Sequence, residues 1–245
     1  MKKILIILTI IISAACQKQI AVTNSELTLN NFFERCNSDI KKASGTISSK
    51  KLVSALFHLN RMNNGGSHYY ILEKEATTEM LNQLSTYKYS ECILITNEGK
   101  IIYTMYDNSL LGKSIYSIPG KPFDTITEKA LRNEPAVSDS VKYAVTGGLS
   151  DNLTFAYPVF EDGKQKGVLI TSVPTRYLKD ELPANTYVVD QTGIIKYHPN
   201  HDLYDTIDEN FPRRGIDNTV KTKNGRIIYT EMKFENINWF IAAVN

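Results

Sequence analysis

Two histidines and an aspartate lie close together in the segment His198-Pro199-Asn200-His201-Asp202, and imidazole and carboxylate groups are common metal ligands. His198 and His201 are three residues apart, a spacing that would place both rings on one face of a helix. Pro199 prevents that helix, and the sequence offers no third ligand in a recognisable pattern. We therefore expect no metal site and no cofactor in this chain.

Potential nucleophiles and bases form no catalytic pattern either. The sequence has no Ser-His-Asp or Cys-His order, paired-carboxylate motif or phosphate-binding loop beyond chance expectation. Gly65-Gly66 lacks the Lys-Ser/Thr ending of a phosphate loop, and the surrounding 63–67 segment indicates a turn. Thr146-Gly147-Gly148 and the Asn152-Leu153-Thr154 sequon together predict a polar loop. The sequence predicts no catalytic residues, and we expect that the protein is not an enzyme.

The first fifteen residues have the three parts of a bacterial export signal. Lys2 and Lys3 precede the apolar run Ile4–Ile12, and small residues lead directly to Cys16. The run is too short to span a bilayer as a helix. A cysteine at this position resembles the bacterial lipobox, in which it is lipidated and becomes the new N-terminus. Ser13 stands where that pattern usually has leucine, and an ordinary cleaved signal with a coincidental cysteine is the alternative.

Composition and cysteine usage narrow the remaining classes. The chain has 245 residues, 42% of them hydrophobic, which is enough for a folded protein with a real core. The formal net charge is +2, and it falls to 0 without Lys2 and Lys3, so no basic field favours nucleic acid. Export permits a disulfide between Cys36 and Cys92, but two buried free thiols are our preferred prediction.

The chain contains an internal repeat. ILITNEGKIIY at 93–103 matches YVVDQTGIIKY at 187–197, which aligns Gly99 with Gly193 and Tyr103 with Tyr197. Two β-branched runs around a glycine turn predict a tight antiparallel hairpin in each copy. The tails SLLGKSI and DLYDTI follow the two copies, and 153–173 matches 226–244 in the same order. These matches predict a duplicated sheet module.

The segment before the first hairpin predicts helices. Between Glu26 and Met62, apolar residues recur at three- and four-residue steps, and Gly45 is a candidate bend or break. A second helix is predicted over Tyr69–Tyr87, with one apolar face formed by Leu72, Ala76, Met80 and Leu84. The polar stretch at 17–25 is predicted to be a tether between the lipid anchor and these helices.

Each module has a predicted strand order. The first predicts strands at 92–96 and 100–106, a helix at 124–132, and strands at 136–143, 153–160 and 167–173. This order, with one crossing helix, suggests a PAS-like antiparallel sheet. The second, over 186–244, keeps the two hairpins and replaces the middle with a loop around 205–214. The predicted fold class is α+β, with a long N-terminal helix packed on two tandem PAS-like modules.

The order of these motifs resembles the double Cache domain of bacterial extracytoplasmic sensors. The resemblance covers 26–245 and rests on ILITNEGKIIYT with LLGKSI, on FAYPVFEDGKQKGVLITSV, and on VVDQTGIIKYHPNHDLY with the terminal WFIAAV strand. It implies a helical entry at 26–88, a membrane-distal module at 89–178 and a membrane-proximal one at 179–245, which follow the predicted signal peptide at 1–15 and tether at 16–25. Family members commonly carry transmembrane helices and an output domain, for which this sequence has no candidates.

The resemblance places a ligand in the first module. Amino-acid binders of the family share an Arg-x-Trp-Tyr cluster and a late-strand Asp, but here the corresponding positions are Pro122–Ile126 and Ser172. An amino acid buries two opposite charges that each need a partner, so it is disfavoured. Hydroxyl groups with one lysine suit a small carboxylate. The candidate ligand-binding residues are Tyr103, Ser138, Asp139, Lys142, Tyr143, Tyr157 and Ser172.

These observations predict a lipoprotein anchored in the cell envelope through Cys16 that binds a small organic acid or another non-amino-acid metabolite. It would relay to a separate membrane receptor or transporter. Gln17 replaces the aspartate that retains some lipoproteins at the inner membrane, which favours the outer membrane in a cell that has two. The alternative is a surface lipoprotein that serves as an adhesion or interaction scaffold without a small ligand.

Overall fold

The computed structural model describes residues 2–63, 68–118, 123–145, 148–212, 219–222, 225–235 and 237–244. Side chains are described throughout except at 2–23, 62–63, 140–151 and 201. The chain divides into two compact units, 34–176 with 235–237, and 1–33 with 177–234 and 238–245. The turn predicted at 63–67, part of the glycine loop at 146–148 and part of the loop at 205–214 lie outside the described residues.

Helices and two antiparallel sheets make up the described chain. The helices are α1 (Lys2–Ser49), α2 (Leu52–Asn63), α3 (His68–Leu84), α4 (Asp124–Leu131) and α5 (Leu178–Glu181). The strands are β1 (Glu91–Thr96), β2 (Ile101–Thr104), β3 (Ala136–Val145), β4 (Gly148–Glu161), β5 (Lys164–Pro174), β6 (Thr186–Asp190), β7 (Ile195–Tyr197), β8 (Thr219–Thr222), β9 (Gly225–Phe234) and β10 (Ile237–Val244). This is the α+β class that the sequence predicts.

The two sheets repeat one topology. Their strand orders are β2-β1-β5-β4-β3 and β7-β6-β10-β9-β8, which match position by position. The sequence therefore predicted the duplication correctly but missed β8, because the middle of the second module was expected to be a loop. We call the sheet formed by β1–β5 the first module and the sheet formed by β6–β10 the second module.

The opening hairpins agree in detail. Gly99 and Gly193 both have positive φ, +76° and +84°, which glycine adopts without the steric cost that Cβ imposes. In both hairpins the register shifts by one residue at the same place, between Leu94 and Ile95 and between Val188 and Val189. The tail after each hairpin hydrogen-bonds along the outer strand, at Ile101 in the first module and Ile195 in the second. The β2 edge of the first sheet and the β7 edge of the second are therefore covered by the chain itself.

The helical entry differs from the sequence prediction in three places. α1 runs through 17–25, the predicted tether, and continues past Gly45. The break comes instead at Lys51, whose φ of +53° ends one helix before α2 begins. α3 buries Tyr70, Thr77 and Leu81, so the predicted apolar face is wrong: Leu72 and Ala76 are exposed, and Met80 and Leu84 are half-buried. Tyr70 fixes this orientation by donating its hydroxyl hydrogen to the Ile102 carbonyl at 2.9 Å.

Within the first module, α4 packs on one face of the sheet. Its residues Phe123, Ile126 and Ala130 join a buried cluster with strand residues that include Ile93 and Ile170. The helix begins and ends close to the predicted bounds. This face, which we call the α4 face, is otherwise apolar along its centre. The polar exceptions on it are what define the candidate site.

Candidate functional site

A row of polar side chains crosses the α4 face of the first module. Ser138 pairs with Thr154, Thr154 with Ser172, and Ser172 with Glu91. Direct cross-strand partners in an antiparallel pair point to the same side of the sheet. The four residues therefore form one row across β3, β4, β5 and β1, which we call the hydroxyl row. Thr154, Ser172 and Glu91 are buried, and Ser138 is half-buried.

The hydroxyl row lies next to the apolar core under α4. The adjacent cross-strand row consists of small or aliphatic side chains that all belong to that core: Ala136, Ala156, Ile170 and Ile93. Within the row, the Thr154 and Ser172 hydroxyls are 3.2 Å apart and hydrogen-bond to each other. Each hydroxyl has one hydrogen and two lone pairs, so this single bond leaves further hydrogen-bonding capacity at both oxygens.

Two other buried hydroxyls on the α4 side have no hydrogen-bond partner among the residues that the structure describes. Thr104 pairs with Ile93 and therefore lies on the same face, while Thr127 is on the buried side of α4. Both are fully buried, and within the described residues neither Oγ1 atom has a hydrogen-bond partner. A buried hydroxyl without a partner costs free energy, so such groups in a native protein call for an explanation such as a bound molecule.

Glu91 contributes a charge to the row, but its carboxylate is already engaged. Oε1 accepts hydrogen bonds from the backbone amides of Cys92 (2.9 Å), Met105 (2.7 Å) and Tyr106 (3.2 Å), and Oε2 from that of Asp107 (3.1 Å). Burial raises the pKa of Glu91, and these four amides work in the opposite direction. The residue thus holds the loop after β2 and has little capacity left for a ligand.

Two of the predicted site residues lie on the other face. Tyr103 pairs with Leu94 and Tyr157 with Leu169, in a second row across the sheet. The Tyr103 hydroxyl is 2.8 Å from the Thr78 hydroxyl of α3, and the Tyr157 hydroxyl donates to Asn37 of α1 at 2.5 Å. Burial raises the pKa of both tyrosines, so they stay neutral. Neither tyrosine shares a face with Ser172. The side chains of Leu94 and Leu169, with which the tyrosines pair, point away from the face that carries the hydroxyl row.

The remaining predicted residues lie on β3. A register irregularity falls between Ser138 and Val141, and it includes half-buried Asp139. The Ser138 hydroxyl donates to the Asp139 carbonyl at 3.1 Å. Beyond it, Lys142 pairs with Asp151 and Tyr143 with Ser150 along the backbone, and their side chains are outside the described part. The structure thus brings Ser138 together with Ser172, and it adds Thr154, Thr104 and Thr127, which sequence reasoning missed.

Solved structures with the same architecture identify the fold. The chain resembles an extracellular ligand-binding receptor from Desulfohalobium retbaense, with 16% identity, 92% of this chain and 39% of that one covered, and a TM-score of 0.64. The chain also resembles the ligand-binding domain of the Campylobacter jejuni chemoreceptor Tlp3, solved with L-valine. The identity is 18%, the match covers 97% of this chain and 94% of that one, and the TM-score is 0.66. For the sensor domain of the V. cholerae histidine kinase DctB, the identity is 13%, the match covers 94% of this chain and 99% of that one, and the TM-score is 0.61. The chain has the double Cache fold.

Sequence comparison alone adds no relative. No protein-family model matches the chain, and no curated protein matches it. The chain spans about two fifths of the length of the Desulfohalobium receptor, whereas it corresponds to nearly all of the Tlp3 and DctB domains. At identities below one fifth, this likeness establishes the double Cache fold and leaves ligand and partner to be argued from the residues.

The equivalent face of the second Cache module is internally bonded. Asp208 is buried, and its Oδ2 accepts hydrogen bonds from the hydroxyls of Tyr187 (2.8 Å) and Tyr229 (2.6 Å). Its Oδ1 accepts from the amide of Asn210 at 3.0 Å. Burial raises the pKa of both tyrosines, and the hydrogen bond that each donates to Asp208 raises it further. The polar groups of this face are therefore satisfied by one another.

His198 belongs to this second cluster. Its ring lies 5.3 Å from that of Tyr187, centroid to centroid, and its Nδ1 accepts from the Asn200 amide at 2.9 Å. Burial lowers the pKa of His198.

Within the part of the chain that the structure describes, no three His, Cys, Asp or Glu side chains are grouped closely enough to hold a metal ion. The described helices likewise include none with the length and apolar character needed to span a membrane.

Two sequence predictions concern residues that are buried in the structure, Cys36, Cys92 and Asn152. Cys36 and Cys92 are both buried and unbridged, as preferred from the sequence, and burial raises the pKa of the Cys92 thiol. The loop predicted at Asn152 is wrong: Asn152 is in β4, is fully buried, and accepts a hydrogen bond from the Ser90 hydroxyl at 2.7 Å. The strand continues there because β5 pairs with it as far as Pro174.

Proposed function

We propose that the protein is an extracytoplasmic lipoprotein whose first Cache module binds a small metabolite on its α4 face. The observation that carries the proposal is the hydroxyl row, together with the unpartnered hydroxyls of Thr104 and Thr127 on the same side of the sheet. A ligand with several hydrogen-bonding oxygens would satisfy groups that the protein leaves unpaired. On the equivalent face of the second module, the described polar groups Asp208, Tyr187 and Tyr229 are bonded to one another.

The proposed ligand is a small organic acid or another metabolite without an α-ammonium group. A buried ammonium needs an opposite charge, and the carboxylate within the hydroxyl row, Glu91, already accepts four backbone hydrogen bonds. The Tlp3 domain was solved with L-valine, so amino acids belong in any screen. Ser138, Thr154 and Ser172 would bind the oxygens of the ligand, and we keep Asp139, Lys142 and Tyr143 as proposed contacts. Tyr103 and Tyr157 are no longer included.

A thermal-shift screen of the purified protein tests the proposal first. The compounds are small carboxylates, amino acids, amines, nucleobases and sugars. A ligand at a hundredfold excess over its Kd adds about 2.7 kcal/mol, which raises the melting temperature by several degrees. A shift for one class of carboxylates or other oxygen-rich metabolites supports the proposal. Shifts for amino acids alone, or for no compound, would contradict it, and the second result would favour the scaffold alternative.

A matched pair of variants then locates the site. Thr154 and Thr171 are both fully buried threonines on neighbouring strands, but they point to opposite faces of the sheet. Thr→Val keeps the shape and removes the hydroxyl. Loss of one hydrogen bond at Thr154 should weaken binding about two- to tenfold, whereas Thr171→Val should leave affinity unchanged. Equal effects of the two substitutions would place the ligand elsewhere. Tyr143→Ala should abolish binding with little loss of stability.

The anchor is tested separately. We propose that Cys16 carries fatty acid and holds the protein at the envelope, from where it relays to a separate membrane receptor or transporter. Growth with labelled palmitate should label the wild-type protein, and Cys16→Ser should remove the label and release the protein from the membrane fraction. A membrane-bound, unlabelled wild-type protein would contradict lipidation while leaving the ligand site untouched.

A further inference from the structure

The first turns of α3 expose apolar side chains, and one of these, Leu72, belongs to the face that the sequence predicted to be buried. Tyr69, Ile71 and Leu72, in the first turns of the helix, are 72%, 45% and 49% exposed. The helix is held instead by a narrow face, through Tyr70, which bonds to β2, and Leu81. Tyr69 and Leu72 are three residues apart and form an apolar patch on the helix surface, whereas Ile71 lies on another side of the same turns. Single exposed apolar residues are ordinary, but apolar exposure concentrated at one helix end favours an interaction surface.

A groove runs along α3 beside this patch. One wall consists of two neighbouring rows on the helix, and the other comes from the chain after β2. The lining residues are Tyr70, Ile71, Lys74, Glu75, Thr78, Glu79, Asn82, Gln83, Met105, Asn108 and Leu111. Its volume is about 1100 Å³. From Tyr70 to Gln83 the helix rises about 20 Å, so the groove matches about four turns of a second helix and exceeds an ordinary metabolite in length.

The rim of the groove carries negative charge, from Glu75 and Glu79. Lys74 is the one basic residue among those lining residues, and its Nζ donates to the Asn108 side chain, which turns the cation towards the protein. Burial lowers the pKa of Lys74. Glu75 and Glu79 remain exposed on the helix, and Gln83 donates to Glu79 at 3.2 Å. Apolar side chains from Tyr70, Ile71, Met105 and Leu111 complete the lining.

We infer that this groove, which we call the α3 groove, binds an amphipathic basic segment of a partner protein. The apolar lining would bury one face of that segment, and Glu75 with Glu79 would pair with its lysine or arginine side chains. A second copy of this chain is a poor occupant, because two α3 helices would bring glutamates against glutamates. Anionic lipid is disfavoured for the same reason. The site is separate from the hydroxyl row and does not depend on the proposed small ligand.

Synthetic peptides test this inference on the purified protein. The probe is a labelled 14-residue helix of leucine and lysine with all leucines on one face, measured by fluorescence anisotropy. One comparison peptide has the same composition in scrambled order, and another has glutamate in place of lysine. The patterned lysine peptide should bind several-fold more tightly than either comparison peptide, and its affinity should fall as salt is raised. Equal binding of the three peptides, or no binding of the lysine peptide at about 1 mM, overturns the inference.

Variants establish where the peptide binds. The double substitution Glu75→Gln/Glu79→Gln removes two exposed charges and should weaken binding about two- to thirtyfold. Ile71→Ser, which removes an exposed lining side chain, should also weaken it. Glu134→Gln, at an exposed position outside the groove, is the matched control and should change nothing. Because all four positions are exposed, circular dichroism should show wild-type folding. Unchanged affinity in the double variant, or an equal loss in Glu134→Gln, refutes the α3 groove as the site.

Discussion

Glu161 provides the most quantitative test of how the first unit is held together. It ends β4 and is buried, and its Oε1 accepts hydrogen bonds from the amides of Val53 (2.9 Å) and Ser54 (3.2 Å). Its Oε2 also accepts from the Ser54 hydroxyl. The two amides belong to the first turn of α2, where a helix has no acceptors of its own. A strand-end carboxylate thus caps a helix that is more than a hundred residues earlier in the chain.

The cost of Glu161→Ala follows from these contacts. The Val53 amide is buried, and a buried amide without a partner costs about 1–3 kcal/mol. The Ser54 amide is half-buried and can recover part of its loss by bonding to water. Removing a negative charge from a helix N-terminus adds about 0.3–1 kcal/mol. Relief from burying a carboxylate offsets part of the sum, so we expect a net loss of about 2–4 kcal/mol.

Thermal melting followed by circular dichroism measures this loss. For a protein of this size, 1 kcal/mol corresponds to about 2–4 °C, so Glu161→Ala should lower the melting temperature by about 4–16 °C. The control is Asp162→Asn, which breaks an exposed 2.8 Å ion pair with Lys51 and should change the melting temperature little, because solvent screens exposed ion pairs. Asparagine also tolerates the φ of +52° at this position. A loss below about 1 kcal/mol for Glu161→Ala, or an equal loss for the control, would refute the capping argument.

Three further predictions concern other parts of the chain. Gly167→Ala should destabilise the protein by about 3 kcal/mol or more in thermal melts, because the added Cβ would lie 2.0 Å from the backbone oxygen of Ile95. Gly45→Ala is the contrast: an added Cβ there meets nothing within 4 Å, and replacing a glycine inside a helix should stabilise the protein by about 0.5–1 kcal/mol. Asp190→Asn should destabilise the protein at neutral pH, and the difference should shrink as the pH falls below the ordinary aspartate pKa. Burial acts to raise the pKa of Asp190, but its hydrogen bonds and a nearby lysine hold it below the ordinary value. Its stabilisation is therefore present above the unfolded-state pKa and is lost as pH falls through the folded-state pKa. A difference that does not change with pH would contradict this. Mass spectrometry should find the thiols of Cys36 and Cys92 protected from alkylation until the protein unfolds, because both are buried, and rapid alkylation of the native protein would argue against that burial.

The sequence predicted the sheets well because their determinants are local. A glycine with positive φ between two β-branched runs specifies the same hairpin wherever it occurs, which is why Gly99 and Gly193 located both modules. β8 was missed because it has four residues only, Thr219–Thr222, and their alternation is weak. The helix break at Lys51 was missed because it depends on a cap from Glu161, a contact that no local pattern contains.

The site was predicted less well because it depends on which face each strand turns to α4. Ser172 and Tyr157 were placed together from their strands alone, but register puts Ser172 beside Thr154 and puts Tyr157 beside Leu169 on the opposite face. Alternation fixes which residues of one strand share a face, and only the pairing between strands combines these sets. The α3 error is similar, since an apolar stripe shows that a face can be buried without showing that a partner within the chain covers it.

The duplicated frame explains why one module is the better candidate for binding. The hydrogen bonds from Ile115 to Gly99 and from Asp208 to Gly193 are equivalent in the two edge-covering tails. In the first module that position is an isoleucine in the apolar core. In the second it is an aspartate whose carboxylate is taken up by Tyr187 and Tyr229, and a ligand there would have to break those bonds. On the α4 face of the first module, buried hydroxyls therefore keep hydrogen-bonding capacity. On the equivalent face of the second module, the described polar side chains bond to one another. A ligand on the α4 face would therefore have fewer internal polar contacts to replace than one in the second module, and this supports the proposed binding by the first module.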